Sequence, residues 1–174
     1  VTDGGGNPLL AWLRTSAHEL TNAIEELAVA GRAGRWLPPA AAWLIDNRQL
    51  VRSQVTSIRL NFPSAYSRRL PRLRRGLDNG LPRIFAVARD YIAYADGHLD
   101  ETTLTRYIAS YQKNQPLCLG ELWALPIMLR LGLIGNVARL AQRVAMMQQH
   151  ASEAAMWTTR LLAMAEEHPA DLMD

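Results

Sequence analysis

Between Pro8 and Ala30, the residues Leu10, Leu13, Ala17, Leu20, Ile24 and Leu27 recur at alternating three- and four-residue steps. Such steps return each side chain to one face of a 3.6-residue turn, so the segment predicts an amphipathic helix; a strand would need strict alternation. The rhythm is also that of a coiled-coil seam, but it lasts under three heptads, and packing on a neighbouring helix is the simpler expectation. Gly31 and Gly34 are the expected terminators.

The same period governs the rest of the chain. Pro38 and Pro39 suit a first helical turn, where a missing N–H costs nothing, and predict a helix from Ala40 to about Asn61. Its inward face is expected to hold Leu44, Val51, Val55, Ile58 and Phe62, widened by Trp43 and Leu50, with Arg48, Arg52 and Arg59 outside and Pro63 as the stop. Pro82 opens another helix, with Ile84, Val87, Ala88, Tyr91, Ile92 and Ala95 inward and Gly97 as its left-handed terminator. Asp100 can cap the next, flanked by Leu99 and Leu104 as a hydrophobic staple, and this helix runs through Tyr107, Ile108 and Tyr111 to near Asn114.

From about Leu119 the sequence is strongly apolar to Ile134, then amphipathic to Ala151 through Val137, Leu140, Ala141, Val144 and Met147. Pro126 removes a backbone donor, so a kink or a split is expected there, with Gly132 and Gly135 as further weak points. A final helix with Ala155, Leu161, Leu162 and Met164 ends near His168-Pro169. Leu117 to Ile134 is long enough to be weighed as a membrane span. Glu121, Pro126 and Arg130 argue against it, since a charge near the bilayer centre costs at least about 2.5 kcal/mol.

The expected fold is therefore all-α, an irregular bundle of five to seven helices, with residues 8–174 forming one helical domain. A hydrophobic share of 49% against 20% charged residues is enough for a packed core. Residues 1–7 are expected to be a disordered or vector-derived lead: Val1-Thr2-Asp3 and Gly4 to Gly6 resemble no signal peptide and no natural start. Cys118 is the single cysteine, which excludes an internal disulfide.

The search for chemistry returns little. His18, His98, His150 and His168 have no metal-ligand spacing, and no phosphate-binding glycine motif follows a strand, so neither a metal nor a cofactor is expected. Asp46 and Glu121 lie among apolar residues and tryptophans and are the two carboxylates to weigh for acid/base work. Structural roles are favoured for both: Asp46 and Asn47 bonding neighbouring helices, and Glu121 meeting free N–H groups in a first helical turn. Trp12, Trp36, Trp43, Trp123 and Trp157 raise a sugar-stacking surface, but Trp43 and Trp123 sit on apolar runs and are expected in the core. Arg68, Arg69, Arg72, Arg74 and Arg75 form one basic cluster around Leu70 and Pro71, read as a solvated connection or as a surface for anionic headgroups or an acidic partner. With a net charge of only +3 and Tyr66 the one aromatic nearby, nucleic acid is not the expected partner.

Several strings occur in an order that resembles the cyclic β-1,2-glucan synthases. The longest runs from Leu119 through Gly120-Glu121-Leu122-Trp123-Ala124-Leu125-Pro126 to Leu131. Before it come Trp43-Leu44-Ile45-Asp46-Asn47, Phe62-Pro63 with Tyr66, Arg69-Leu70-Pro71, Leu81-Pro82-Arg83, Asp96-Gly97-His98-Leu99-Asp100, and Tyr111-Gln112 ahead of Pro116-Leu117. The resemblance covers about residues 40 to 145 and implies a region upstream of the membrane-embedded module that takes glucose from UDP-glucose. It implies a parent at the cytoplasmic face of the bacterial inner membrane, with the other modules of that polypeptide as partners and this piece itself soluble.

No catalytic residue is carried over. The family's Q-x-x-R-W motif is absent, because Arg32 stands where glutamine would precede Arg35-Trp36. Cys118 stands where members often carry threonine, so a T-x-x-E capping box with Glu121 would lose its better acceptor. Three functions follow as alternatives: a scaffolding or regulatory domain of such a synthase, a small glycan-processing enzyme using Asp46 or Glu121, or an anionic-lipid or nucleic-acid binder acting through Arg68 to Arg75.

Overall fold

A computed structural model describes residues 7–76 and 78–167, and among these the fold is all-α. Seven helices follow in order: α1 (Pro8–Arg32), α2 (Pro39–Asp46), α3 (Arg48–Asn61), the single turn α4 (Ser64–Ser67), α5 (Arg83–Tyr94), α6 (Glu101–Gln112) and α7 (Leu119–Glu167). The only extended pairing among the described residues is an isolated antiparallel bridge between Arg72 and Pro82.

Local chemistry sets the boundaries. Asn7 caps α1 by accepting from the Leu9 N–H at 3.0 Å and donates to Ser67 Oγ at 2.6 Å, so this residue of the expected lead belongs to the fold. Gly34 takes the left-handed conformation at the other end of α1, and the Arg35 N–H closes on the Ala30 carbonyl at 3.1 Å. The single helix expected from Ala40 to Asn61 is two: Asn47, with ψ near 11°, ends α2 and opens α3, its side-chain amide donating to the Trp43 carbonyl at 2.9 Å. Asparagine offers the backbone such an alternative partner, which is why it interrupts a helix that the apolar period alone would continue. At the end of α5 the first left-handed residue is Asp96 (φ 49°), one position before the expected Gly97 (φ 80°); both carry the reversal.

α7 is one helix where a kink or split and a separate last helix were expected. At 1.5 Å per residue its 49 residues reach roughly 74 Å. Pro126 forfeits one hydrogen bond, but Ala124, Met128, Leu129, Leu131 and Ile134 are buried on both sides of it, and burial at about 1.5–3 kcal/mol per large side chain outweighs that loss. By length and composition α7 would also serve as a membrane span; 44% of its most apolar window is buried within the bundle. The expected end near His168-Pro169 lies outside the described residues.

The core has two parts strung along α7. One joins Leu9 and Leu13 of α1, Ile58 and Phe62, all of the buried face of α5, Ile108 of α6, and Ala124 to Ile134 of α7. The other joins Leu20 to Leu27 of α1 and Ala41 and Leu44 of α2 to Ala138, Ala141 and Ala145 of α7. The face of α7 that meets α1 is thus made of alanines, while the larger members of the expected stripe, Leu140 and Met147, are 46% and 70% exposed. Gly132 and Gly135 extend this small-residue line rather than weakening the helix. A methyl at Gly132 would come within 2.6 Å of Ile92 Cδ1, and one at Gly135 would overlap the ring of Trp12, which stands edge-on to Phe85 at 4.9 Å.

Packing and helix propensity therefore oppose each other at Gly135. Alanine would gain up to about 1 kcal/mol as a helix former and lose about 1–3 kcal/mol by forcing Trp12 off Phe85. Gly135→Ala is expected to be net destabilising by about 1 kcal/mol in urea unfolding, whereas a helix limited by glycine flexibility would gain stability.

Candidate functional site

The one densely bonded polar site among the described residues sits where α7 begins. Pro82 fixes the entry to α5, placing Arg83 at its first residue, and the loop 113–118 brings Pro116 and Cys118 alongside. Glu121 is fully buried. Its Oε1 accepts from Arg83 Nε at 2.9 Å, and its Oε2 accepts from Arg83 Nη2 at 2.5 Å and from the Cys118 N–H at 3.0 Å. Arg83 Nη2 also donates to the Pro116 carbonyl at 3.0 Å, and the Tyr66 hydroxyl donates to the Gly120 carbonyl. One carboxylate thus ties together the starts of α5 and α7 and the loop between α6 and α7.

Burial alone would push the Glu121 carboxyl up, but the Arg83 fork, the Cys118 N–H and the nearby guanidinium charge outweigh it and hold the group below the ordinary glutamate value of 4.5. The same bond raises the Arg83 guanidinium, against a smaller loss from desolvation. An ionised carboxylate with both oxygens committed has no proton to give and no free face toward a substrate. Glu121 behaves as half of a capping box, returning to the N–H three residues back, and as a buried ion pair.

Sequence reading placed Glu121 correctly in a first helical turn but missed Arg83. A signal was available: a cation at the first residue of a helix opposes the helix dipole and calls for an acidic partner.

Asp46 does not join Glu121. It is exposed at the end of α2, and Asn47 bonds its own helix rather than a neighbouring one, which corrects the expectation for this pair. α2 packs beside Ala138 to Ala145, so the two carboxylates are on the order of 25 Å apart along α7, well beyond the 10 Å or less that glycosidic acid/base pairs require. Trp43 and Trp123 are 53% and 76% exposed, not in the core. A signal was available for both: Asp46 follows Trp43 by three residues and Arg130 follows Trp123 by seven, which puts a charge on each tryptophan's face. Among the described residues no three His, Cys, Asp or Glu gather as a metal site.

The arginine cluster folds as a tight connection. Leu70 is buried, the backbone of Leu73 bonds Leu81 and Gly80 at 2.9 Å each, and Arg72 donates to the Gly80 carbonyl. Arg68, Arg69, Arg72, Arg74 and Arg75 are all exposed, and none makes an ion pair with a described residue.

Two outcomes are expected at the α7 start. Glu121→Gln should cost about 3 kcal/mol, the lower end for a broken buried pair, because Arg83 is 24% exposed and partly rehydrates. Since the folded-state pKa of Glu121 is lowered, its contribution is present above 4.5 and lost as pH falls through the native value, so the gap between the two proteins in urea titrations should close with acid. Cys118→Thr should complete the capping box and raise stability by about 0.5–1 kcal/mol at neutral pH, read from the same transitions.

No family model matches the chain. The chain is 34% identical over 151 residues to "Cyclic beta-(1,2)-glucan synthase NdvB" of Rhizobium meliloti (strain 1021), a match that covers 85% of this chain and 5% of that protein. Five of the residues in the strings that resembled this family, Tyr66, Arg83, Pro116, Gly120 and Glu121, meet at the start of α7. The chain is kin to the cyclic β-(1,2)-glucan synthases and corresponds to a short stretch of the one it matches.

Proposed function

We propose that this is a single, non-catalytic helical module in the N-terminal region of a cyclic β-1,2-glucan synthase, with a scaffolding or regulatory role in a membrane enzyme that uses UDP-glucose. The observation that carries the reading is the state of the two candidate carboxylates. Glu121 is buried and saturated by Arg83 and Cys118, and Asp46 lies exposed on a different part of the bundle. A glycan-processing site would need them together and accessible. Because the chain spans 5% of the synthase it matches, the chemistry belongs to the remaining polypeptide, and this module acts on it through contact.

The exposed arginines favour a supplementary contact. Five guanidinium groups on one short connection, none in an ion pair with a described residue, suit the anionic headgroups of a cytoplasmic membrane face, each worth about 1 kcal/mol near such a surface. Nucleic acid is a poor fit, because Tyr66 is the one aromatic near these arginines and its hydroxyl is committed to Gly120.

The test is removal of this region from the full-length synthase in membranes. UDP-glucose turnover, the amount of protein or the size of the glucan product should change. If all three match the intact enzyme, the module has no scaffolding or regulatory role.

A further inference from the structure

Where alanines let α1 lie close on α7, the larger polar residues on either side stand up as the walls of a trough. Its floor is made by Ala23, Leu27, Ala30 and Ala145, all buried. Three adjoining hollows of about 400, 460 and 250 Å³ follow it from Gln142 to Ala155 of α7, roughly 20 Å at 1.5 Å per residue. Asn22 and Glu26 line it from α1, and Gln148 and Gln149 from α7. Arg35 and Trp36 close one end, with Trp36 74% exposed. Gln148 carries the most information. It is only 7% exposed and its backbone carbonyl accepts from Ser152 Oγ, yet its side-chain amide has no hydrogen-bond partner among the described residues. That amide lines two of the hollows, so its N–H donors and its carbonyl are answered by whatever fills the trough.

Resting on the synthase reading above, we propose that this trough binds a neutral oligosaccharide, and that its occupant is the glucan chain made by the parent enzyme. Amides, carboxylates and a guanidinium share the walls, which suits vicinal hydroxyls that donate and accept at once. The exposed indole of Trp36 offers a flat apolar face to the C–H side of a sugar ring, the stacking role weighed for the tryptophans. Glu19, Glu25 and Glu26 outnumber Arg35 here, so phosphate-bearing ligands, a nucleotide sugar among them, are disfavoured. Arg35 and the amides also break the acidic run that a basic peptide would need. The volumes are those of a site for a small ligand rather than a face awaiting a protein.

Isothermal titration calorimetry of this chain with linear β-1,2-linked gluco-oligosaccharides tests the assignment. These sugars should bind saturably, with maltohexaose and UDP-glucose at least tenfold weaker. Trp36→Ala should weaken the binding at least tenfold, the scale of one aromatic stacking contact, and Trp36→Phe should restore most of it. Gln148→Leu should weaken it as much while leaving the urea midpoint unchanged or higher, because it removes a buried amide that no described residue satisfies. Trp157→Ala, exposed on α7 outside the trough, should bind as the unaltered chain does. No saturable binding, equal binding of maltohexaose or UDP-glucose, or full affinity in both Trp36→Ala and Gln148→Leu would overturn the proposal. The result is separable from the deletion experiment. A deletion that alters synthesis, in a chain that binds no sugar, keeps the scaffolding role and removes this site, whereas sugar binding with a silent deletion keeps the site and removes the role.

Discussion

Everything in this bundle depends on how closely α1 and α5 can approach α7. Gly132, Gly135, Ala138, Ala141 and Ala145 form a line without bulky side chains, and the ring of Trp12 and the methyl of Ile92 fill the room the glycines leave. Small residues at a helix contact shorten the distance between axes and let large side chains on the partner do the filling. Leu9, Leu13, Leu20 and Leu27 supply them from α1, and Phe85 and Tyr91 from α5. A helix of 49 residues carrying an internal proline holds its course because neighbours grip both sides of the weak point.

The start of α7 is fixed by a different force. A buried carboxylate shared by a guanidinium and a backbone N–H is costly to desolvate and therefore demanding of geometry, and it is satisfied here on both oxygens. It sets the order in which the loop after α6, the entry to α5 and the first turn of α7 meet. The apolar line gives the assembly its stability, while the ion pair gives it register. The carboxylate at the start of α7 has both oxygens committed to holding three chain segments together.

Much of this was legible beforehand. The helical class, the start at Pro8, starts within one residue of those at Pro39 and Arg83, the cap at Asp100 and the first-turn position of Glu121 all follow from period and punctuation. The failures have several causes. Sequence reading weights a residue by size, so Leu140, Met147, Trp43 and Trp123 were assigned inward, although Ala138, Ala141 and Ala145 make the contact with α1 and α2, and Trp43 and Trp123 share their faces with Asp46 and Arg130. Glycine was read by its backbone freedom, although Gly132 and Gly135 are selected by space. Arg83 carried only the general signal of a cation at a helix start, and which carboxylate answers it was hidden because the pair spans 38 residues. The family relation was legible from ordered strings, and members of several of them, Tyr66, Arg83, Pro116, Gly120 and Glu121, meet at the α7 start.

α7 is thus divided: it is gripped up to Gln148, flanked by Arg35 and Trp36 as far as Ala155, and carries no buried side chain from 156 to 165. Amide hydrogen exchange on this domain by itself measures that division directly. Amides from 128 to 145 should exchange only through global unfolding, and those from 156 to 165 should exchange at least a hundredfold faster. Equal protection along the whole of α7 would contradict the account, because the distal half would then be held by contacts within this chain.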